Sequence, residues 1–151
     1  MVSQRMVLVV YADPVDRRGT ALLLESAGYR VVSAGNFEQA KQVLASEEPD
    51  MLMTDLRLGP YNGIHLVLRS RTDHPNMAAL VTSRVPDAVL EAEALRQSAG
   101  FLLLPASDEE VLDAVTHFLS APPPRVPSPS PPEEGVPSSA ALGSVARSLL
   151  N

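Results

Sequence analysis

Five short apolar runs, each followed by a segment of helical pattern, constrain the fold of this chain more than any other feature. The runs are Met6–Val10, Arg30–Ala34, Met51–Thr54, Ala79–Thr82 and Phe101–Leu104. Their apolar residues are largely continuous rather than alternating with polar ones, as in strands that are buried on both faces of a parallel sheet. This repetition of strand and helix predicts an α/β domain, with a five-stranded parallel sheet and helices on both of its faces.

Residues that favour helix ends separate these runs. Asp13 followed by Pro14 predicts an N-cap and a first-turn proline for the first helix. Ser107 and Glu110 have the spacing of a capping box, which predicts the start of the fifth helix. Gly100 is expected to end the fourth helix just before the last strand, because glycine is common directly after a helix.

A cluster of prolines predicts where the folded domain ends. Eight of the 14 prolines lie in residues 122–137, a stretch that cannot form regular helix or strand hydrogen bonds. We therefore expect a domain in residues 1–121, a proline-rich linker in 122–137 and a short segment in 138–151. The last segment has apolar residues at helical spacing, which leaves two interpretations open: a short amphipathic helix that docks on a surface, or a disordered tail.

Composition argues against several classes of protein. The chain has no cysteine and its three histidines are scattered, so we expect no metal site built from those residues. A net charge of −6 argues against binding to the phosphate backbone of nucleic acids. There is no apolar stretch of the roughly 18 residues that a membrane span needs, and no signal-peptide pattern. We expect a cytoplasmic protein with neither nucleic-acid nor membrane contacts.

The carboxyl ends of the strands are where the functional site of an open parallel sheet lies. This rule selects four places, which are Tyr11–Asp13, Asp55, Thr82–Ser83 and Leu104–Pro105. These residues, at these spacings, resemble the response-regulator receiver domain of the CheY-like superfamily over residues 5–120. The resemblance implies the doubly wound, flavodoxin-like (βα)5 receiver fold, with Asp55 as the candidate phospho-acceptor.

The resemblance also assigns roles to residues around Asp55. Gly63 lies eight residues after Asp55, as in the phospho-acceptor segment of the family. Thr82 takes the place of the switch hydroxyl and Phe101 that of the switch aromatic. Pro105 corresponds to the cis proline of the family. Together these positions imply a site that links phosphorylation to a conformational change.

Three positions depart from the family pattern. Asp13 aligns without a gap with the acid before the family's proline, so the acidic pair of the family falls on Tyr11 and Ala12, and the lysine position before the cis proline is Leu104. Asp13 and Asp55 then remain as the only plausible residual metal ligands, which implies weak or absent Mg²⁺ binding and no certain cofactor. Because phosphoryl transfer to a carboxylate needs positive charge, we expect impaired phosphorylation.

Two arginines could supply some of that charge. Arg57 is two residues after Asp55, and Arg84 is two residues after Thr82. One hypothesis is that one or both guanidinium groups pair with Asp55 or with a bound oxyanion. The alternative is that both side chains point into solvent.

Two functions, neither enzymatic, are compatible with these residues. The first is a two-component response-regulator receiver without an output domain, phosphorylated on Asp55 by a histidine kinase and acting on a downstream protein target. The second is a pseudo-receiver that works as an interaction or dimerisation module without phosphate chemistry. A homodimer through the fourth and fifth helices is compatible with either. A flavin-binding or enzymatic α/β domain is disfavoured, because the turn after the first strand, YADPVDR, has no glycine for a phosphate cradle.

Overall fold

A computed structural model describes residues 4–120, and the expected linker (122–137) and terminal segment (138–151) lie outside the described residues. The elements, in chain order, are β1 (Met6–Val10), α1 (Pro14–Ser26), β2 (Arg30–Ala34), α2 (Phe37–Ser46), β3 (Met51–Asp55), β4 (Arg57–Leu58), β5 (Tyr61–Asn62), α3 (Gly63–Asp73), β6 (Ala78–Ser83), α4 (Ala88–Arg96), β7 (Gly100–Leu103) and α5 (Asp108–Ser120).

The predicted parallel sheet is confirmed. Five strands pair in the order β2–β1–β3–β6–β7, and each pair is parallel. β4 and β5 form a separate antiparallel hairpin in the loop between β3 and α3, which the sequence analysis did not predict. The order of the strands places β3 in the middle, between β1 and β6, so the residue that ends β3 has a strand end on either side.

Two layers of helices cover the sheet, and this explains why the apolar runs are continuous. Along β1, Leu8 and Val10 pack with residues of α2, α3 and α4, whereas Val7 and Val9 pack with residues of α1 and α5. Side chains of a strand alternate between the two faces, so a strand covered on both sides needs apolar residues at every position. All five residues of β1 are buried, as this arrangement requires.

The predicted helix starts are confirmed by their hydrogen bonds. The Asp13 carboxylate accepts from the backbone N–H of Val15 at 2.8 Å, which caps α1. At the start of α5, the Glu110 N–H donates to the Ser107 hydroxyl at 3.1 Å, and the Ser107 N–H donates to the Glu110 carboxylate at 2.8 Å. This reciprocal pair is the capping box expected from the sequence.

The expectation that Gly100 ends the fourth helix is wrong. α4 ends at Arg96, the left-handed position is taken by Ser98 with φ of 57°, and Gly100 is the first residue of β7. Glycine is required there for packing, because a Cβ at residue 100 would overlap the ring of Phe118 on α5. The contact joins residues that are far apart in the chain, so the local pattern could not indicate it.

Candidate functional site

Tyr11, Asp55 and Thr82 form a row across the carboxyl ends of β1, β3 and β6, here called the acceptor row. Asp55 pairs with Thr82 in the register of β3 and β6, and Tyr11 directly follows Val10, which pairs with the residue before Asp55. Tyr11 belongs to the apolar cluster on the side of α1 and α5, and the alternation of side chains along β3 and β6 places Asp55 and Thr82 on the same side.

A buried hydrogen bond joins the two ends of the acceptor row. The Thr82 hydroxyl donates to the phenolic oxygen of Tyr11 at 2.9 Å, and the exposed fractions are 0% for Thr82 and 3% for Tyr11. Burial raises the pKa of the Tyr11 phenol to about 12, and the negative charge of Asp55 acts in the same direction. The phenol is therefore neutral at physiological pH and offers no anionic oxygen to a cation.

Asp55 is half-buried between these two residues. Burial raises the pKa of its carboxyl group, while backbone hydrogen bonds from Arg57 and Leu56 oppose the rise. One of these bonds runs from the Arg57 N–H to Oδ1 of Asp55 at 3.4 Å. Gly63 lies against the backbone carbonyl oxygen of Asp55, where a Cβ would overlap that oxygen. The glycine thus permits the start of α3 to pack directly against the acceptor position.

The arginines near the row do not form ion pairs with Asp55 within residues 4–120. Arg84 pairs instead with Asp16 on α1, at 3.2 Å, and both side chains are substantially exposed. Its charge still lowers the pKa of Asp55, more weakly than the Asp16 charge raises it. Arg57 contacts Asp55 through its backbone N–H, and Arg57 itself is exposed. Direct pairing with Asp55 is thus not observed, and binding of an oxyanion stays a prediction.

Comparison with known proteins identifies the family of this chain. The family model of the response regulator receiver domain matches residues 7–116. The chain belongs to this family. A response regulator receiver protein from Pseudomonas putida has a similar structure, with a TM-score of 0.72 and 27% identity, over 78% of this chain and 99% of that one. A CheY-like receiver domain from Methanospirillum hungatei, with a TM-score of 0.73 and 19% identity over 78% and 94% of the two chains, supports the fold.

Curated relatives of this receiver are mostly longer proteins. The sensor histidine kinase TmoS of Ectopseudomonas mendocina is 31% identical over 78% of this chain, but the match covers 12% of TmoS. The transcriptional regulatory protein LnrK of Bacillus subtilis is 29% identical over 73% of this chain and 52% of LnrK. The chain thus spans about half or less of these two relatives. No helix within residues 4–120 is long and apolar enough to cross a membrane.

Phe101 lies on β7, the last strand of the receiver, and Leu104 directly follows it. Phe101 pairs with the residue before Thr82 and packs against the cluster on the side of α2, α3 and α4, on the opposite face of the sheet from the row. Leu104 follows β7, and its N–H donates to the carbonyl of Ser83 at 2.8 Å. The peptide bond between Leu104 and Pro105 is cis, as the resemblance implied. Leu104 offers no charge to the row.

The oxygen donors near Asp55 do not fit a Mg²⁺ site, which prefers octahedral oxygen ligands with one or two carboxylates. Ala12 has no side-chain oxygen, the Tyr11 phenol is neutral, and the Asp13 carboxylate is used in the cap of α1. The Asp16 carboxylate is paired with Arg84. Within residues 4–120 no group of three or more histidine, cysteine, aspartate or glutamate side chains could hold a metal ion.

Two charged residues at this edge were not assigned a role in the site by the sequence analysis. Asp16, although paired with Arg84, is near enough to raise the pKa of Asp55, so Asp13 and Asp55 are not the only acids at the site. The position of Asp16, three residues after the Asp13 cap and on the first turn of α1, could have indicated that it lies near Asp55. Arg17 donates from Nη1 to the carbonyl oxygens of Tyr11 at 2.8 Å and Ala12 at 3.4 Å. Arg17 thereby holds the loop that carries Tyr11 and Ala12, two of the three positions that depart from the family pattern.

Proposed function

We propose that this protein is a cytoplasmic receiver of two-component signalling that acts through protein–protein contacts, with Asp55 as a slow phospho-acceptor. The proposal rests on one observation: Asp55 ends the central strand beside the Thr82 hydroxyl, but without a donor set for Mg²⁺ and without a lysine at residue 104. The arrangement keeps the acceptor and its switch hydroxyl and lacks the charges that promote transfer. The receiver domain is proposed to comprise residues 1–121.

Missing positive charge should slow the transfer strongly. A phosphodonor and a carboxylate are both anionic, so their approach depends on positioning and on cations. A charge-assisted hydrogen bond of the kind that a lysine at residue 104 would provide contributes about 1.5–3 kcal/mol. Each 1.4 kcal/mol is about tenfold in rate, so the absence of this bond alone should slow phosphorylation about 10- to 100-fold.

Labelling with acetyl phosphate tests this proposal. We expect a slow gain of one phosphoryl group in intact-protein mass spectrometry, and its loss in Asp55→Asn. The double substitution Ala12→Asp and Leu104→Lys should restore a rapid, Mg²⁺-dependent gain, at least about tenfold faster than the wild type. A wild-type rate equal to that of the double variant would contradict the proposed impairment, and labelling that survives Asp55→Asn would contradict the acceptor.

The surface proposed for partner proteins lies on α4 and its neighbours, and is here called the α4 face. Four large apolar side chains are exposed there: Val85 before the helix, Val89 and Leu95 on it, and Leu103 on β7. Val89 and Leu95 have exposed fractions of 74% and 60%, and groups of exposed apolar side chains are typical of interaction surfaces. Candidate partners are a histidine kinase, a downstream target and a second copy of this chain.

Sedimentation of matched variants tests the α4 face. If a second copy covers this face, Val89→Asp should abolish a concentration-dependent dimer. Val15→Asp is the control, because Val15 on α1 has a similar exposed fraction of 78% and lies outside the α4 face. A dimer that survives Val89→Asp would contradict this use of the face, and a wild type that stays monomeric would restrict the partners to other proteins.

A phosphorylation-independent interaction module is the second candidate. It is favoured by the hydrogen bond between Thr82 and Tyr11, which engages the switch hydroxyl without any phosphoryl group. The two candidates differ in the effect of Asp55→Asn. Partner binding or dimerisation that depends on acetyl phosphate and is lost in Asp55→Asn supports the receiver with a working acceptor, whereas binding that is unchanged supports the module.

A further inference from the structure

The side chain of Tyr11 crosses a neighbouring strand to reach its partner. Tyr11 follows β1 and Thr82 is on β6, and β3 lies between these two strands in the sheet. Adjacent strands are about 4.8 Å apart, so β1 and β6 are separated by roughly 10 Å. The phenolic oxygen is nevertheless 2.9 Å from the Thr82 hydroxyl. The phenol therefore extends across the end of β3, where Asp55 lies.

A short acid at residue 11 could not make this contact. An aspartate side chain ends two bonds beyond its Cβ, whereas the phenol places its oxygen at the far side of an aromatic ring. The tyrosine thus replaces a potential metal ligand with a bridge across the acceptor row.

The hydrogen bond to Tyr11 uses the only hydrogen-bond donor of the Thr82 side chain. A threonine hydroxyl has one O–H to donate, and here it donates to Tyr11. To donate to a phosphoryl oxygen on Asp55, Thr82 would have to break this bond and leave a buried phenol without that partner, which carries a free-energy cost. Thr82 thus has two states, one bonded to Tyr11 and one bonded to a phosphoryl group. A phosphoryl group shifts this equilibrium only by its difference in affinity for the two states, so the free energy lost with the Tyr11 bond is subtracted from the free energy that the phosphoryl group contributes.

The same strand end is connected to the α4 face. Ser83, the residue after Thr82, accepts from the Val85 N–H at 3.1 Å and donates to the Val85 carbonyl at 2.8 Å. Val85 is one of the four exposed apolar residues of the α4 face. A fixed Thr82 therefore also fixes the start of the segment that presents this face.

We infer that Tyr11 is a positioning residue of this site, which holds Thr82 and the adjoining α4 face in their unmodified arrangement, so that Thr82 must break its hydrogen bond to Tyr11 before it can donate to a phosphoryl group on Asp55. The inference rests on the proposed function, because it concerns the regulation of the same acceptor. It makes Tyr11 a residue that positions Thr82, and it weakens the coupling between phosphorylation and the arrangement of the α4 face.

A double-mutant cycle tests the bridge without any ligand. Tyr11→Phe removes only the phenolic oxygen, Thr82→Val removes the hydroxyl, and urea unfolding measures both and their combination. A buried neutral hydrogen bond should appear as a coupling of about fivefold in the unfolding equilibrium constant. The control cycle uses Tyr29→Phe with Thr82→Val, since Tyr29 pairs with Thr116 at 3.3 Å and not with Thr82. Equal coupling in both cycles, or none in the first, would overturn the inference.

Threonine-methyl NMR tests whether the hydrogen bond to Tyr11 restrains Thr82. The chain has five threonines, so the Thr82 signal can be assigned by substitution. In the Ala12→Asp and Leu104→Lys background, beryllofluoride with Mg²⁺ should shift the Thr82 signal more when Tyr11→Phe is added, and should bind about fivefold more tightly there. Tyr29→Phe in that background should change neither response.

The outcomes of this test separate the inference from the proposed function. An equal Thr82 shift with and without Tyr11→Phe, or beryllofluoride that binds neither variant, would overturn the role of Tyr11 and leave slow phosphorylation of Asp55 intact. Rapid acetyl-phosphate labelling of the wild type would instead overturn the proposed function.

Discussion

Stability at alkaline pH gives a direct measure of how Tyr11 is held. Burial raises the pKa of the Tyr11 phenol from 10.0 to about 12, so the unfolded chain loses this proton before the folded protein does. Between these two values the folded state binds more protons, and the free energy of unfolding falls as the pH rises. One pKa unit corresponds to about 1.4 kcal/mol, so the loss is about 1.4 kcal/mol at pH 11 and about 2.7 kcal/mol when complete.

Urea unfolding followed by far-ultraviolet circular dichroism measures this loss between pH 8 and pH 11. Tyr11→Phe has no ionisable group at this position, so the stability of the wild type relative to this variant should fall by about 1.4 kcal/mol over the range. Tyr29→Phe, which removes the phenol paired with Thr116, is the control and should keep the slope of the wild type. A difference between wild type and Tyr11→Phe that stays constant up to pH 11 would refute the argument that the phenol is buried as a neutral group.

Three further substitutions test the packing around the acceptor row. Asp55→Asn should raise the melting temperature at pH 7, because burial raises the pKa of the Asp55 carboxyl and so penalises its charged form. The gain in melting temperature should shrink as the pH falls through this raised pKa towards the ordinary value of 3.8. An equal gain at pH 7 and pH 4 would contradict burial of the charged carboxyl as the cause. Gly63→Ala should lower the free energy of unfolding by about 1–3 kcal/mol in urea, because its Cβ would overlap the carbonyl oxygen of Asp55. Gly100→Ala should cost a similar amount, about 1–3 kcal/mol, by overlap with Phe118, and full stability of either alanine variant would show that the chain relaxes around it.

Much of the fold could be predicted because its signals are local. The apolar run of β1 predicted a strand buried on both faces, and all five of its residues are buried. The cap of α1 by Asp13 and the capping box of α5 involve residues within three positions of each other, so the sequence alone indicates them. The Gly100 prediction failed because the contact that requires glycine comes from Phe118, in a helix that follows the strand.

The candidate site was predicted in part, for the same reason. The position of Asp55 at a strand end is a local property, and the parallel sheet then brings it beside Thr82. The partners of the polar groups were not predictable. One hypothesis paired Arg84 with Asp55, but the ion pair of Arg84 is with Asp16, a residue 68 positions earlier in the chain.

The sequence by itself determined the five strands of the parallel sheet, the five helices, the caps of α1 and α5 and the residue types at the carboxyl edge of the sheet, because hydrophobic periodicity and capping act over a few residues. Only the tertiary structure decided that Tyr11 bonds to Thr82, 71 residues away, across the end of the intervening strand. That contact depends on the order of the strands, which places β3 between β1 and β6, and on a side chain long enough to cross it. The order of strands is a property of the whole packed sheet, and no short segment of the chain specifies it.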